Sequence, residues 1–390
     1  MSLEAIIHGT FIDTPTAQSL RVRDDVFVVV TNHGVIGQIC TEESHIREEF
    51  RSLQIIRLEK TQVIVPGLVD LHIHAPQFKQ LGTKTDIPLM EWLQKYTFPA
   101  ESAFSSPTHA SNIYPKLLSH LIKNGTTTAV LYGSNHLSAT KILAESCGKA
   151  GIRAFVGKTC ADMLTPEYYV ETTEGSLKDT EEFVKWCYEK WGSGREGRVR
   201  PVVTPRLKDS EAGVMEEVGA TVVSCPWSNI LFARATVPIP YYNSTFPNLK
   251  IGLGTDIAGG FGTMLDNMRT AIFQDRIDSF AAVNRSNTTT DLDIKNENWA
   301  VDFKYAFHLA TASGARALGM EDMIGTFEEG MRFDALQLDL GLDGENGEHT
   351  RAMRFTRFGD ESVEELFEKW VTTGDDRNVV KVWVDGVDVS

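Results

Sequence analysis

Three side chains, His72, His74 and Asp256, are placed where their types and spacing could do chemistry. The run Val65-Pro66-Gly67-Leu68-Val69-Asp70-Leu71-His72-Ile73-His74 reads as an apolar strand opened by Pro-Gly and closed by His-x-His. Residues i and i+2 of a strand share a face, so both imidazoles can point into one site. Two imidazoles on one face suit a divalent metal of the zinc type. A second buried run, Ile251-Gly252-Leu253-Gly254-Thr255-Asp256, ends in a carboxylate. At a strand tip such an aspartate can ligate a metal and accept a proton from an activated water. It can equally cap a following helix; beside the histidine pair the ligand reading is the stronger one.

The elements that must position these residues alternate between strand and helix. Strand-like runs fall at Val63 to His74, Thr127 to Tyr132, Arg153 to Thr159, Val199 to Thr204, Thr221 to Cys225 and Ile251 to Thr255. Helical patterns lie near Pro115 to Lys123, Lys141 to Ala150, Leu177 to Trp191, Ser210 to Val218 and Phe303 to Leu318. The alternation predicts an α/β fold with a TIM-type (β/α) barrel, whose sites lie at the C-terminal ends of the strands; six of the usual eight strands are visible. The two ends of the chain are β-rich instead, with runs at Glu4 to Phe11, Val26 to Val30, Val35 to Ile39 and Ile55 to Leu58, then Ala335 to Leu338 and Val379 to Val384. We expect residues 1–65 and 320–390 to form one small β-sandwich and residues 66–319 the barrel. The stretch Gly341 to Arg351 reads as a solvated loop.

Composition narrows the function. The 390 residues carry a net charge of −15, with 42% hydrophobic and 23% charged residues, as expected of a folded acidic chain. The missing basic footprint argues against a nucleic-acid partner. No apolar run approaches the ~18 residues of a membrane span, and the first residues do not read as a secretion signal. Five widely spaced cysteines without a Cys-x-x-Cys pair point to reduced thiols and a cytosolic location. The His-x-Glu and Pro-Cys-x-x-Cys strings of cytidine-type deaminases are absent, as are His-Glu-x-x-His and a P-loop.

Together these motifs resemble the amidohydrolase superfamily and, within it, the guanine deaminase family. Carrying the resemblance are Pro66 to Gln77, the loop Pro88 to Glu101, Asn124-Gly125-Thr126-Thr127-Thr128-Ala129, Ala154-Phe155-Val156-Gly157-Lys158, Val203-Thr204-Pro205-Arg206, Ser224 to Asn229, Gly252 to Gly260 and Gly374 to Asn378, in order along the chain. The resemblance implies one zinc per subunit on His72, His74 and Asp256, with Asp256 also catalytic. It implies hydrolysis of guanine to xanthine and ammonia, with Gln77 and Arg206 binding the purine edge, in a cytosolic homodimer. Arg's planar donor fork suits such an edge. Trp92, Tyr96 and Phe98 read as core rather than site, His308 as a structural helix residue and Cys225 as buried and inert.

The resemblance breaks once. In the family, the Thr-Pro-Arg strand is followed by two further βα units carrying His-x-x-Glu and Ala-His-Gly; here Arg206 runs straight into Leu207-Lys208-Asp209-Ser210. Among the ten histidines only His45 precedes a glutamate at that spacing, Glu48, and it lies before the barrel; none sits in Ala-His-Gly. The family's two further metal-site histidines and proton-shuttling glutamate therefore have no counterpart, which implies an internal truncation at 206/207 and, with those two strands missing, leaves an inactive chain among the readings. Besides the deaminase, two readings stay open: a non-catalytic interaction protein on this scaffold, and an amidohydrolase acting on another amino-substituted heterocycle.

Overall fold

The computed structural model describes residues 3–163, 165–205, 219–285, 300–341, 355 and 357–390. Arg206, the 206/207 junction, the expected helix Ser210 to Val218 and nearly all of the loop Gly341 to Arg351 lie outside the described residues.

Both ends of the chain build one sheet. Strands β1 (Ala5–Thr16), β2 (Ser19–Val30), β3 (Ile36–Cys40), β4 (Ile55–Arg57) and β5 (Gln62–Pro66) come from the N-terminal part. After the central strands, the C-terminal part adds β14 (Ala335–Asp339), β15 (Val379–Val384) and β16 (Val387–Asp388). The order is β16-β15-β14-β5-β1-β2-β3, with β4 against β1. The unbroken apolar run Val26–Val30 fits because both faces of β2 are covered. Val26, Val28 and Val30 pack with Ile7, Phe333 and Trp383, while Phe27 and Val29 pack with Ile6 and Ile46 on the opposite face. A strand alternating between two cores has no polar face to show.

The central strands are β6 (Leu68–His74), β7 (Thr126–Tyr132), β8 (Arg153–Gly157), β9 (Thr159–Cys160), β10 (Val199–Pro201), β11 (Thr204–Pro205), β12 (Thr221–Ser224) and β13 (Lys250–Leu253). The expected continuous strand Val63 to His74 is divided at Gly67: β5 belongs to the terminal sheet and β6 to the central one. A parallel sheet runs β10-β8-β7-β6, extended by β11 on β9, and a parallel pair joins β12 to β13. The two groups meet at the tip of β6 through a parallel bridge between Ile73 and Ile257. The curved order is thus β10, β8, β7, β6, β13, β12, and among the described residues no ladder joins β10 or β11 to β12. These sheets fit a TIM-type barrel beside a β-rich unit.

Helices cover the outside. Pro107–Lys123 starts eight residues before its apolar pattern suggested, because Ser106 caps it by accepting from the His109 amide, and Pro115 is carried inside it. Its buried face is Ala110, Tyr114, Leu117, Leu118, Leu121 and Ile122. Leu137–Ala150 ends on Gly151 at φ 80°, the left-handed position that glycine tolerates. The expected helix Phe303 to Leu318 is two, Phe303–Leu309 and Ala312–Ala317, separated at Thr311. Arg153 of β8 is 1% exposed and ties the central sheet to the terminal one. Its Nε donates to Asp334 Oδ2 at 2.9 Å, and its Nη2 donates to Asp334 Oδ1 at 3.0 Å and Asp385 Oδ1 at 2.6 Å. No helix among the described residues is long and apolar enough to cross a membrane.

Candidate metal centre

β6 and the segment after β13 are laced together at the site. The Asp256 amide donates to the His72 carbonyl at 2.8 Å, and the His74 amide donates to the Ile257 carbonyl at 3.0 Å. The approach needs glycine: a Cβ on Gly252 would lie 2.3 Å from Leu71 Cδ1, and one on Gly254 would lie 2.6 Å from His72 Cβ. The alternating glycines of Ile251-Gly252-Leu253-Gly254 are therefore the sequence's means of bringing Asp256 to the histidines. Asp256 adopts φ 48°, a left-handed conformation that aspartate reaches more readily than most residues.

His72 Nε2 and His74 Nε2 lie 3.3 Å and 3.4 Å from Asp256 Oδ1. One ligand atom from each of the three residues falls within 4.8 Å of the others. Their side chains are 24%, 19% and 24% exposed, so the cluster is reachable from solvent. Two imidazole nitrogens and one carboxylate oxygen converging on a small volume fit a zinc-type ion, which takes three protein donors and leaves a position open in catalytic sites.

Further groups support the cluster. Ser228 Oγ donates to Asp256 Oδ2 at 2.7 Å, leaving Oδ1 toward the imidazoles. Burial favours the neutral acid, but the His72 hydrogen bond, the charges of His72 and His74 and the Ser228 bond outweigh it and hold Asp256 well below the usual carboxylate range. Burial likewise works against a charged His72, yet its hydrogen bond to Asp256 and that carboxylate's charge raise its pKa. Asp70, fully buried beneath the site, accepts from Thr255 Oγ1 at 2.6 Å, the Thr255 amide at 2.9 Å and the His72 amide at 3.2 Å. Burial pushes its carboxyl up to about 6 despite those bonds. Asp70, Thr255 and Ser228 were not singled out from sequence; the signal for Asp70 was a carboxylate inside an apolar strand.

Gln77 is brought beside the centre but is not the solvated loop residue its position alone suggests. It is 3% exposed, its Nε2 donates to Glu101 Oε1 at 2.8 Å, and its Oε1 accepts from the Ala258 amide at 3.4 Å. It therefore ties the turn Ala75–Gln80 to the segment after Asp256. Trp92 and Phe98 are buried, Trp92 against Phe232 at 4.8 Å between ring centroids, in keeping with core. His308 Nδ1 pairs with the Thr14 carbonyl at 2.8 Å, and Cys225 is a buried free thiol whose pKa burial raises.

The amidohydrolase family description matches residues 63–208 and 206–389, two stretches that meet beside Arg206. The mouse (Mus musculus) guanine deaminase is 31% identical over 99% of this chain and 97% of its own length. That alignment spans 465 positions, 75 more than the 390 residues here. Among solved structures, guanine deaminase from C. acetobutylicum with guanine bound in the active site superposes with a TM-score of 0.83 at 25% identity, covering 99% of this chain and 100% of the other. An adenosine deaminase from Xanthomonas campestris with bound zinc has the same fold, with a TM-score of 0.72 at 20% identity over 99% and 92% of the two chains. With both the sheet order and the sequence match spanning it, the chain belongs to the amidohydrolase family.

Proposed function

We propose that this chain is a metal-dependent hydrolase of guanine, replacing the exocyclic amine by oxygen to give xanthine and ammonia. The observation that carries the reading is the convergence of His72, His74 and Asp256, set in a chain alike over 99% of its length to guanine deaminases. A zinc ion on these donors would supply Lewis acidity and lower the pKa of a water in the site. The residues do the rest. His72 and His74 present Nε2, and Asp256 stays ionised, with Ser228 holding Oδ2. As the water's oxygen bonds to the carbon bearing the amine, the double bond from that carbon to the ring nitrogen opens and Asp256 passes the water's first proton to that nitrogen; Asp256 then carries the remaining hydroxyl proton to the amine, so that the C–N bond breaks, a C=O bond forms and neutral ammonia leaves. Gln77 holds the wall of the site through Glu101 and Ala258, and with Arg206 it completes the purine-edge contact that the resemblance assigns.

In this reading residues 1–65 and 320–390 form one unit and 66–319 the metal-binding one, a homodimer forms, and the chain works in the cytosol. Two internal βα units are missing at 206/207. Support comes from the 465-position alignment and from the two family matches meeting at 206–208. Without the glutamate that would share proton transfer, the expected turnover is lower than that of a complete relative by the share of general acid–base catalysis, about 10²- to 10⁴-fold. Xanthine formation by the purified zinc-loaded chain tests the reading: slow guanine turnover supports it. A protein that holds no zinc and forms no xanthine is instead the non-catalytic scaffold, and turnover of another amino-heterocycle with guanine inert gives a different substrate. An in-frame segment in the genomic DNA between codons 206 and 207 would support the truncation; an uninterrupted gene and transcript would refute it.

A further inference from the structure

Tyr132, the last residue of β7, stands in register with His74 of β6 on one side and Gly157 of β8 on the other. Residues in register across a sheet project from the same face, so this row sets a phenol beside an imidazole and only hydrogen on the far flank. That flank is closed to any larger residue: a Cβ on Gly157 would lie 2.5 Å from Thr204 Cγ2 and 2.7 Å from Thr204 Oγ1. The Tyr132 ring accordingly packs on the histidine side.

Its centroid is 4.7 Å from that of His72 at an interplanar angle of 63°, and 5.1 Å from that of His74 at 48°. The two imidazoles are 4.8 Å apart and almost perpendicular at 89°. The three rings thus close a triangle, with Tyr132 touching both candidate ligands. An imidazole turns easily about its outer torsion, and a metal needs the nitrogen lone pair aimed within a narrow cone. Asp256 fixes where Nε2 of each ring ends, but one carboxylate oxygen shared by two rings does not fix their planes. The Tyr132 ring lies against both imidazoles.

We infer that Tyr132 is a positioning residue of the metal centre, its ring holding His72 and His74 in the orientations that present Nε2 to one ion. The inference rests on the metal reading above and deepens it: the ring, not the hydroxyl, carries the effect.

The test is Co²⁺ titration of the full-length metal-free protein by visible absorbance, with Zn²⁺ affinity from chelator competition. Tyr132→Phe keeps the ring; Tyr132→Leu and Tyr132→Met each remove it while leaving an apolar side chain. Val130→Ala, two residues back on β7, is the control for general loosening of the strand, and melting of the metal-free proteins reports on folding. We expect Tyr132→Phe to match the parent within about twofold, and the folded ring-less variants to bind Co²⁺ about 10- to 100-fold more weakly, the usual cost of losing a group that orients ligands. Their cobalt band should change shape, which Val130→Ala should not cause even if it lowers the melting temperature. Parental affinity and spectrum in a folded ring-less variant would overturn the inference alone, as would equal weakening by Val130→Ala or a loss as large in Tyr132→Phe. A parent that takes up neither Co²⁺ nor Zn²⁺ would overturn the metal reading itself.

Discussion

The main-chain amide of Asp256 donates to the carbonyl of His72 at 2.8 Å, so the carboxylate strand and the histidine strand are joined at the site itself. The distance between the candidate ligands is therefore set by backbone pairing, and side-chain reach has little to add. Any change that spreads β6 from the segment after β13 should act on the metal first.

Gly254→Ala makes this change directly, since the added methyl would lie 2.6 Å from His72 Cβ. We expect a loss of about 1–3 kcal/mol in stability, the usual cost of overpacking, together with markedly weaker zinc binding. Urea denaturation and zinc titration measure both; unchanged zinc affinity would show that the strand spacing does not control the site.

Ser228→Ala removes the hydroxyl that donates to Asp256 Oδ2. Zinc affinity should fall about 10- to 100-fold, as for other groups that orient ligands, with the fold intact by circular dichroism. Parental affinity in chelator competition would mean that Asp256 is oriented by other means.

Arg153→Leu leaves Asp334 buried without its guanidinium partner and strips Asp385 of one of its arginines. Breaking a buried pair from one side costs about 3–5 kcal/mol, and urea denaturation should show a loss of that order. A loss below about 1 kcal/mol would mean that the two sheets are held together by apolar contacts alone.

Glu361 gives a dependence on pH far from the site. It pairs with Lys369 and accepts from the Phe358 and Gly359 amides at 2.9 Å. The Lys369 bond and then these amides hold its carboxyl at about 2, below the ordinary 4.5. A depressed carboxyl stabilises the folded state above its unfolded pKa, and that stabilisation is lost as pH falls from about 4.5 to about 2. The stability gap between the parent and Glu361→Gln should therefore narrow over that window; a gap constant from pH 6 to pH 2.5 would contradict the assignment.

The histidine pair and Asp256 were legible because a strand's two-residue period and a carboxylate at a strand end are local facts. The six central runs, which the structure divides further into β6 to β13 with β5 ahead of them, were legible for the same reason. The rest depends on packing between segments. A register shift places the four residues from Asp70 to Ile73 against the three from Ala129 to Leu131, a bulge at the site that a strict two-residue period does not foresee. Ser228 comes to Asp256 from the short helix Pro226–Ser228 that follows β12, and Gln77 is drawn inward by Glu101 and Ala258. The division of Val63 to His74 at Gly67 follows from β14 pairing with β5, a partner more than 260 residues away.

The central claim is that His72, His74 and Asp256 jointly hold a divalent ion. A crystal of the zinc-loaded protein, measured with anomalous scattering at the zinc edge, tests it most directly. The account predicts one peak at about 2.0–2.2 Å from His72 Nε2, His74 Nε2 and a carboxylate oxygen of Asp256. A peak held by other residues, or none at full zinc loading, would contradict it.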